Sequence, residues 1–349
     1  MAKKLSAIPV SILDLATIVE GDSSPADAFR RSVALAQHAE RHGYKRYWFA
    51  EHHNMASVAS AATSVLIGHV AGATSTIRVG AGGVMLPNHS PLVIAEQFGT
   101  LALLYPDRID LGIGRAPGSD PLTSYALRRN IKGDINDFPN DVMELINYLG
   151  PRNESVKVRA IPGEGTKVPV WLLGSSTFSA QLAGILGLPF AFASHFAPAQ
   201  LHEALQVYRT HFKPSEFLAQ PYSMACVNVI AADTNEEAEF LSTSFHQLAL
   251  GLFRNDRRPL PPPVSTMEDI WTPNEKHGVQ SMTTYSFLGT PKTIKVSLQE
   301  FVDKTAVDEI MVASHLYSLE ARQRSLELIA SVFAPQKSGI GNRESGNSD

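Results

Sequence analysis

Cysteine is nearly missing from this chain. Cys226 is the only one in 349 residues, which rules out an intrachain disulfide framework and a cysteine-rich zinc site. It sits in an apolar run, 224–230, and reads as a small buried hydrophobe of a core strand. A strong charge of either sign is missing too. The formal net charge of −4 gives no basic footprint, so neither nucleic acid nor an anionic membrane is expected as a partner. No apolar run is long enough to span a bilayer, and Met1-Ala-Lys-Lys-Leu-Ser leads straight into a strand without a signal-type apolar block, so the expected location is cytoplasmic. The Gly-rich dinucleotide turn that opens a doubly wound sheet is also absent, because Gly21 is the only glycine between Asp14 and Ser24.

What is present is a steady alternation of short β-type runs and longer helical ones, in a chain with 44% hydrophobic residues. Strands are predicted over 6–13, 47–50, 77–86, 108–113, 170–173, 190–193, 222–231 and 309–313, most of them followed directly by a helix. Thr234 is a candidate cap ahead of the acidic first turn Glu236/Glu237. Eight such strands without a repeat or a linker predict an α/β fold, a single (β/α)₈ TIM barrel over 1–335. Two irregular stretches interrupt it. Residues 119–167, after strand four, read as an insertion over one barrel mouth; 251–288, after the helix that follows strand seven, is Pro-rich and reads as an extended wrap or lid. The Gly/Ser/Asn-rich tail 336–349 is predicted to be disordered.

In a barrel of this kind the carboxyl ends of the strands build the site. Strand two ends in Glu51-His52-His53-Asn54, strand three leads into Asn88-His89, strand four into Arg115, strand five into Gly174-Ser175-Ser176 and strand six into Ser194-His195. The adjacent imidazoles fit proton-transfer chemistry or one core ring beside one surface ring. A metal site is not expected, because no His-x-His or His-x-x-x-His spacing occurs and no carboxylate pairs naturally with these histidines. Gly174-Ser175-Ser176 ahead of a helix reads either as ordinary N-capping or as an anion cradle; Arg115 reads either as a fixed cation for that anion or as a structural ion-pair partner. Gly80, Gly82 and Gly83 in strand three imply a bulge or a close backbone approach.

Three segments, Trp48–Asn54, Arg78–Pro87 and Pro106–Gly118, together with Gly174-Ser175-Ser176, resemble the luciferase-like monooxygenase superfamily, the flavin-dependent barrel enzymes related to the bacterial luciferase α subunit. The resemblance runs from Leu5 to Phe333. It implies catalytic roles for His52 and Glu51, a strand-three bulge at Gly82-Gly83 lying against the isoalloxazine ring, with a strained or cis peptide expected there, and a phosphate site built from Arg115, Gly174, Ser175 and Ser176. A threonine that helps bind phosphate in luciferases aligns with Ala180, which leaves Ser176 and Ser179 for that work. The implied activity is an FMNH₂/O₂-dependent monooxygenase acting on a small organic substrate, with FMN as the reduced cofactor, a separate flavin reductase supplying it, and no metal. A deazaflavin-dependent dehydrogenase and a non-catalytic flavin-binding protein are the alternatives. The small residues of the helix over 60–74 point to a homodimer, or equally to tight packing on the barrel.

Overall fold

The computed structural model describes residues 3–116, 120–127 and 137–335. The tail 336–349, with its predicted disorder, lies outside the described residues, as do Pro117, Gly118 and Ser119. Among the described residues nine parallel strands occur, in the order β1 (Val10–Asp14), β2 (Arg46–Phe49), β3 (Arg78–Met85), β4 (Ile109–Gly114), β5 (Val170–Gly174), β6 (Phe190–Phe192), β7 (Ser223–Ala231), β8 (Ser286–Gly289) and β9 (Glu309–Ala313). Pairing runs β1 through β7 in sequence, then β7 to β9 and β9 back to β1, so eight of them close a TIM barrel.

Strand β8 and the helix before it correct the expectation of an extended wrap or lid over 251–288. Asn228 on β7 is in register with Ala313 of β9 on one side and Ser286 of β8 on the other, so β8 continues the edge that β6 occupies lower on β7. Helix α9 (Pro273–Met282) precedes it, opened by a capping box between Thr272 and Glu275. Only the part between α8 (Asn235–Phe253) and α9 is irregular. The Thr234 cap is formed as expected, its hydroxyl accepting from the Glu237 N–H at 3.1 Å.

Strand alternation sorts the side chains. Tyr47 and Phe49 point out to the helices, in one core with α1 (Ala26–Arg41), α2 (Thr63–Gly72) and α3 (Pro91–Leu104), while Trp48 and Ala50 point into the barrel with Leu13, Trp171, Met224, Cys226 and Met311. Cys226 is therefore a barrel-lining side chain, and burial pushes its thiol well up. At the amino ends of the strands the interior is ionic. Arg46 bonds Asp110 at 2.6 Å and Glu309 at 2.9 Å, Arg78 bonds Asp110 at 2.6 Å, and Ser11 and Tyr222 donate to Glu309 at 2.5 and 2.8 Å. Burial would raise Asp110, but the Arg46 and Arg78 charges outweigh it and hold the carboxyl below its ordinary range. Trp48 caps this layer, its indole N–H donating to Asp110 at 3.1 Å and its ring meeting Trp171 edge-on at 5.2 Å.

The insertion after β4 holds α4 (Pro121–Leu127) and α5 (Phe138–Leu149), and α5 packs on α3. The turn that follows α5 touches α3 glycine to glycine. A Cβ on Gly99 would stand 2.1 Å from the Gly163 Cα, so neither position admits a side chain. No helix among the described residues is long and apolar enough to cross a membrane.

Candidate active site

The carboxyl ends of the strands surround a cavity of about 400 Å³, within the size range of small-molecule sites. Ala50 and His52 line it from the end of β2, Gly82, Gly83 and Met85 from β3, Gly114 and Arg115 from β4, and Gly174, Ser175 and Ser176 from β5, with Ser179 from α6 (Thr177–Leu186). One wall is apolar, formed by Met55, Val58, Phe245, Leu248 and Leu252.

Strand three presents bare backbone to this space. Its pairing with β4 slips between Gly82 and Val84, leaving Gly83 as a bulge, and the Gly82–Gly83 peptide is cis, as expected. Side chains are excluded at both positions: a Cβ on Gly82 would lie 2.8 Å from Leu13 Cδ1, and one on Gly83 would lie 2.7 Å from the Gly112 carbonyl oxygen.

Helix α6 begins at Thr177, with Ser176 in extended backbone at the cap position. The Ser176 hydroxyl makes no capping bond, so the first N–H groups of the helix are not taken by it. Arg115 stands in the same wall with its guanidinium carbon 4.1 Å over the Phe178 ring and no carboxylate partner among the described residues. The structural ion pair, one of the two readings of Arg115, is thus not formed among the described residues.

Glu51 lies behind this wall rather than in the cavity. Its side chain is 2% exposed, and one oxygen sits 2.8 Å from both His53 Nε2 and His89 Nε2 while the other accepts the Met85 N–H at 3.2 Å. The expectation that no carboxylate pairs with these histidines is therefore corrected: Glu51 pairs with two. Burial alone would raise the Glu51 carboxyl, and the bonds from His53, His89 and the Met85 amide bring it down to about 2. The three side chains have ligand atoms within 4.8 Å of one another. As hydrogen-bonded here they clamp the end of β2 to the turn after β3. Asn54, in the left-handed region at φ 53°, extends the tie by donating to Asp120 at 3.2 Å.

Two further imidazoles reach the cavity. His195, named from strand six, is pushed down to about 3 by burial, with the charges of His315 and His52 adding to it. His315 is pushed down to about 4, also mainly by burial, and stacks on Phe245 at 5.6 Å. Both are neutral at neutral pH. His315 was missed in the sequence although it stands two residues past β9, where the rule applied to the other strands would have found it. Asn228 was missed because it lies inside the apolar run of β7; its amide donates to the His195 carbonyl oxygen at 2.7 Å. Arg257, from the irregular stretch after α8, had no signal at all.

The sequence profile of the family described as luciferase-like monooxygenase matches residues 8–307. The chain is a member of that family. A luciferase-like monooxygenase from Escherichia coli is 56% identical over 325 residues, covering 93% of this chain and 97% of its own. An N-acetyl-S-alkylcysteine monooxygenase from Bacillus subtilis is 32% identical over 341 residues, 95% and 99% of the two chains. Among solved structures, apo-MsnO8 superposes with a TM-score of 0.87 at 35% identity, covering 93% of this chain and 98% of its own. The oxygenating constituent of 3,6-diketocamphane monooxygenase from Pseudomonas putida, solved with FMN, shares the fold at a TM-score of 0.71 and 17% identity, covering 95% and 98%. The site residues that the family resemblance implies, His52, Gly82, Gly83, Arg115, Gly174, Ser175 and Ser176, thus lie along one cavity, and Glu51 lies outside it.

Proposed function

We propose that this luciferase-like protein is a monooxygenase that binds reduced FMN in the cavity at the carboxyl ends of the strands and oxygenates a small organic substrate with O₂. The observation that carries this reading is the pairing, in one cavity, of a side-chain-free strand edge at Gly82-Gly83 with an unpaired cation at Arg115 beside an uncapped helix N-terminus. A flat ring can approach bare backbone closely, and a phosphate can take the helix N–H groups, the Ser175 and Ser176 hydroxyls and the guanidinium. The FMN bound by the fold neighbour from Pseudomonas putida supports the same cofactor.

Reduced flavin, when bound, supplies the two electrons with which O₂ is divided between the substrate and water. The protein's part is binding, water exclusion and proton control. The apolar wall of Phe245, Leu248 and Leu252 would help to shed water from the cavity once flavin and substrate are bound. His52, on the cavity wall beside the strand-three bulge, holds or moves the proton that oxygen reduction consumes. His195 and His315, neutral at the floor, can each donate or accept a hydrogen bond without bringing a charge. Glu51 is a positioning residue in this scheme, fixing the segment that carries His52. A separate reductase supplies the reduced flavin, in line with the single glycine, Gly21, after β1.

Anaerobic calorimetric titration tests the cofactor assignment. Reduced FMN is expected to bind more tightly than reduced riboflavin by about tenfold or more, the scale of one or two charge-assisted bonds, and Ser176→Ala to erode that margin. Equal affinity for the two flavins would refute the phosphate site. Hydride transfer to a deazaflavin without O₂ consumption would move the reading to a dehydrogenase. The outer faces of α2 and α3 expose Val65, Val93, Leu103 and Leu104, which supports a homodimer built on these helices. Sedimentation of Val65→Lys as a monomer and of the parent as a dimer is the expected outcome, and a monomeric parent would sink it.

A further inference from the structure

We infer that Arg257 is the substrate's anion receptor, so that this cavity selects an organic anion with an apolar body, a medium-chain carboxylate being the simplest example. The inference rests on the flavin reading for the identity of the cavity and adds the class of its second ligand.

Three arginines follow α8 within five residues, and their surroundings differ. Arg254 holds Glu275 through two bonds of 2.7 and 2.9 Å, and Arg258 holds Asp256 through its Nε at 2.8 Å. Arg257 has neither an ion pair nor a hydrogen bond among the described residues, and it lines the cavity. Of the carboxylate and guanidinium side chains along the cavity, Asp256 is neutralised by Arg258, which leaves the guanidiniums of Arg115 and Arg257 uncompensated. They come from different parts of the fold, Arg115 from the end of β4 and Arg257 from beyond α8. A flavin phosphate held at the α6 N-terminus answers the first only.

A solvated surface arginine needs no ligand. What sets Arg257 apart is that it shares its cavity with an apolar wall, Leu248, Leu252, Phe245 and Met282. Arg257 is exposed in the free cavity, and a substrate that covers this wall would displace part of the water around its guanidinium. Without a negative group that desolvation is uncompensated; with a carboxylate it is answered by a planar, bidentate, charge-assisted contact in a lowered dielectric. The site therefore discriminates against neutral ligands of the same shape as well as favouring anionic ones.

Calorimetry with octanoate and 1-octanol on the flavin-free protein tests this, because it needs neither flavin chemistry nor O₂. Octanoate is expected to bind on the order of tenfold more tightly than 1-octanol. Arg257→Gln should bring octanoate down to the affinity of 1-octanol, Arg257→Lys should restore part of the margin, and FMN affinity should stay within about twofold in both variants. An equal affinity for octanoate and 1-octanol in the parent overturns the inference, as does a margin that survives Arg257→Gln. Loss of octanoate binding on saturation with FMN, or a parallel loss of FMN affinity in Arg257→Gln, also overturns it, by assigning Arg257 to the cofactor. Failure of the parent to bind FMN would instead strike the flavin reading and leave the octanoate result standing. Unchanged thermal unfolding of both variants shows that the fold is intact.

Discussion

Replacing Glu51 with Gln separates an ionic clamp from a merely polar one. The carboxylate is buried, and it accepts from His53, His89 and the Met85 amide. Its pKa falls from 4.5 to about 2 because those three bonds overcome the burial penalty. A depression of that size corresponds to roughly 3 kcal/mol of native-state preference for the ionised form. The folded value lies below the unfolded one, so this stability is complete above about pH 4.5 and is lost as the pH falls through about 2. Gln keeps the shape and both histidines can change tautomer, so Glu51→Gln should lose about 2–4 kcal/mol at pH 7 rather than the full penalty of an unpaired buried group. Urea unfolding at pH 7 and at pH 3 measures it. The parent should lose stability between those values and the variant should lose less over the same interval. A variant within about 0.5 kcal/mol of the parent at pH 7 would show that the charge is immaterial and that the clamp is simple packing.

Four other outcomes are expected. His52→Ala should keep the fold and reduced-FMN affinity while lowering substrate turnover by about 10²–10⁴, the range for a positioned acid or base; full turnover, or loss through unfolding alone, would remove His52 from the chemistry. Gly83→Ala should destabilise the protein by about 1–3 kcal/mol and weaken flavin binding, because its Cβ would meet the Gly112 carbonyl oxygen at 2.7 Å. Gly114→Ala, whose Cβ meets only the flexible Met85 sulfur at 3.3 Å, should be much milder in chemical denaturation. His315 is driven down to about 4 by burial, so it favours folding when neutral; the stability it contributes is complete above about pH 6.5 and declines as the pH falls through about 4. His315→Phe should flatten the acid side of the stability profile in that window by up to ~1.4 kcal/mol per pH unit, and an unchanged slope would contradict the buried, neutral assignment.

The barrel was legible in the sequence because its strands are either apolar runs or strictly alternating ones, and because the glycines of β3 declared a bulge. What was not legible fails for physical reasons. Strand β8 is four residues long, half-buried at three of them, and pairs only with the upper part of β7, so it carries almost no hydrophobic pattern. Helix α9 buries a single side chain, Val279, and thus shows no apolar stripe; its capping box at Thr272 and Glu275, with Pro273 opening the helix, was visible and is the signal that should have been read. The Glu51–His89 pairing joins residues 38 apart in the chain, and no local pattern reports it. The same holds for Arg257, whose place on the cavity wall depends on how an irregular segment folds back. His53 offers the converse lesson. The adjacent imidazoles were open to a reading as one core ring beside one surface ring, and His53 is bonded to buried Glu51, two residues before it, at 2.8 Å.

The two mouths of the barrel place their charges by opposite rules. At the amino ends Arg46 and Arg78 share Asp110, and Arg46 and Tyr222 share Glu309, so each buried group of this layer has a partner supplied by the protein. Removing one partner there leaves a buried charge without compensation, which makes this layer a structural lock. At the carboxyl ends the order is reversed. The carboxylates are consumed by neighbours, Glu51 by His53 and His89 and Asp256 by Arg258, while the guanidiniums of Arg115 and Arg257 are left over. An uncompensated cation beside apolar surface is tolerated only while water covers it, and it becomes favourable when an incoming anion replaces that water. The positive charge that the described residues leave at one mouth, against the closed ionic layer at the other, is what the proposed phosphate and substrate-anion sites draw on.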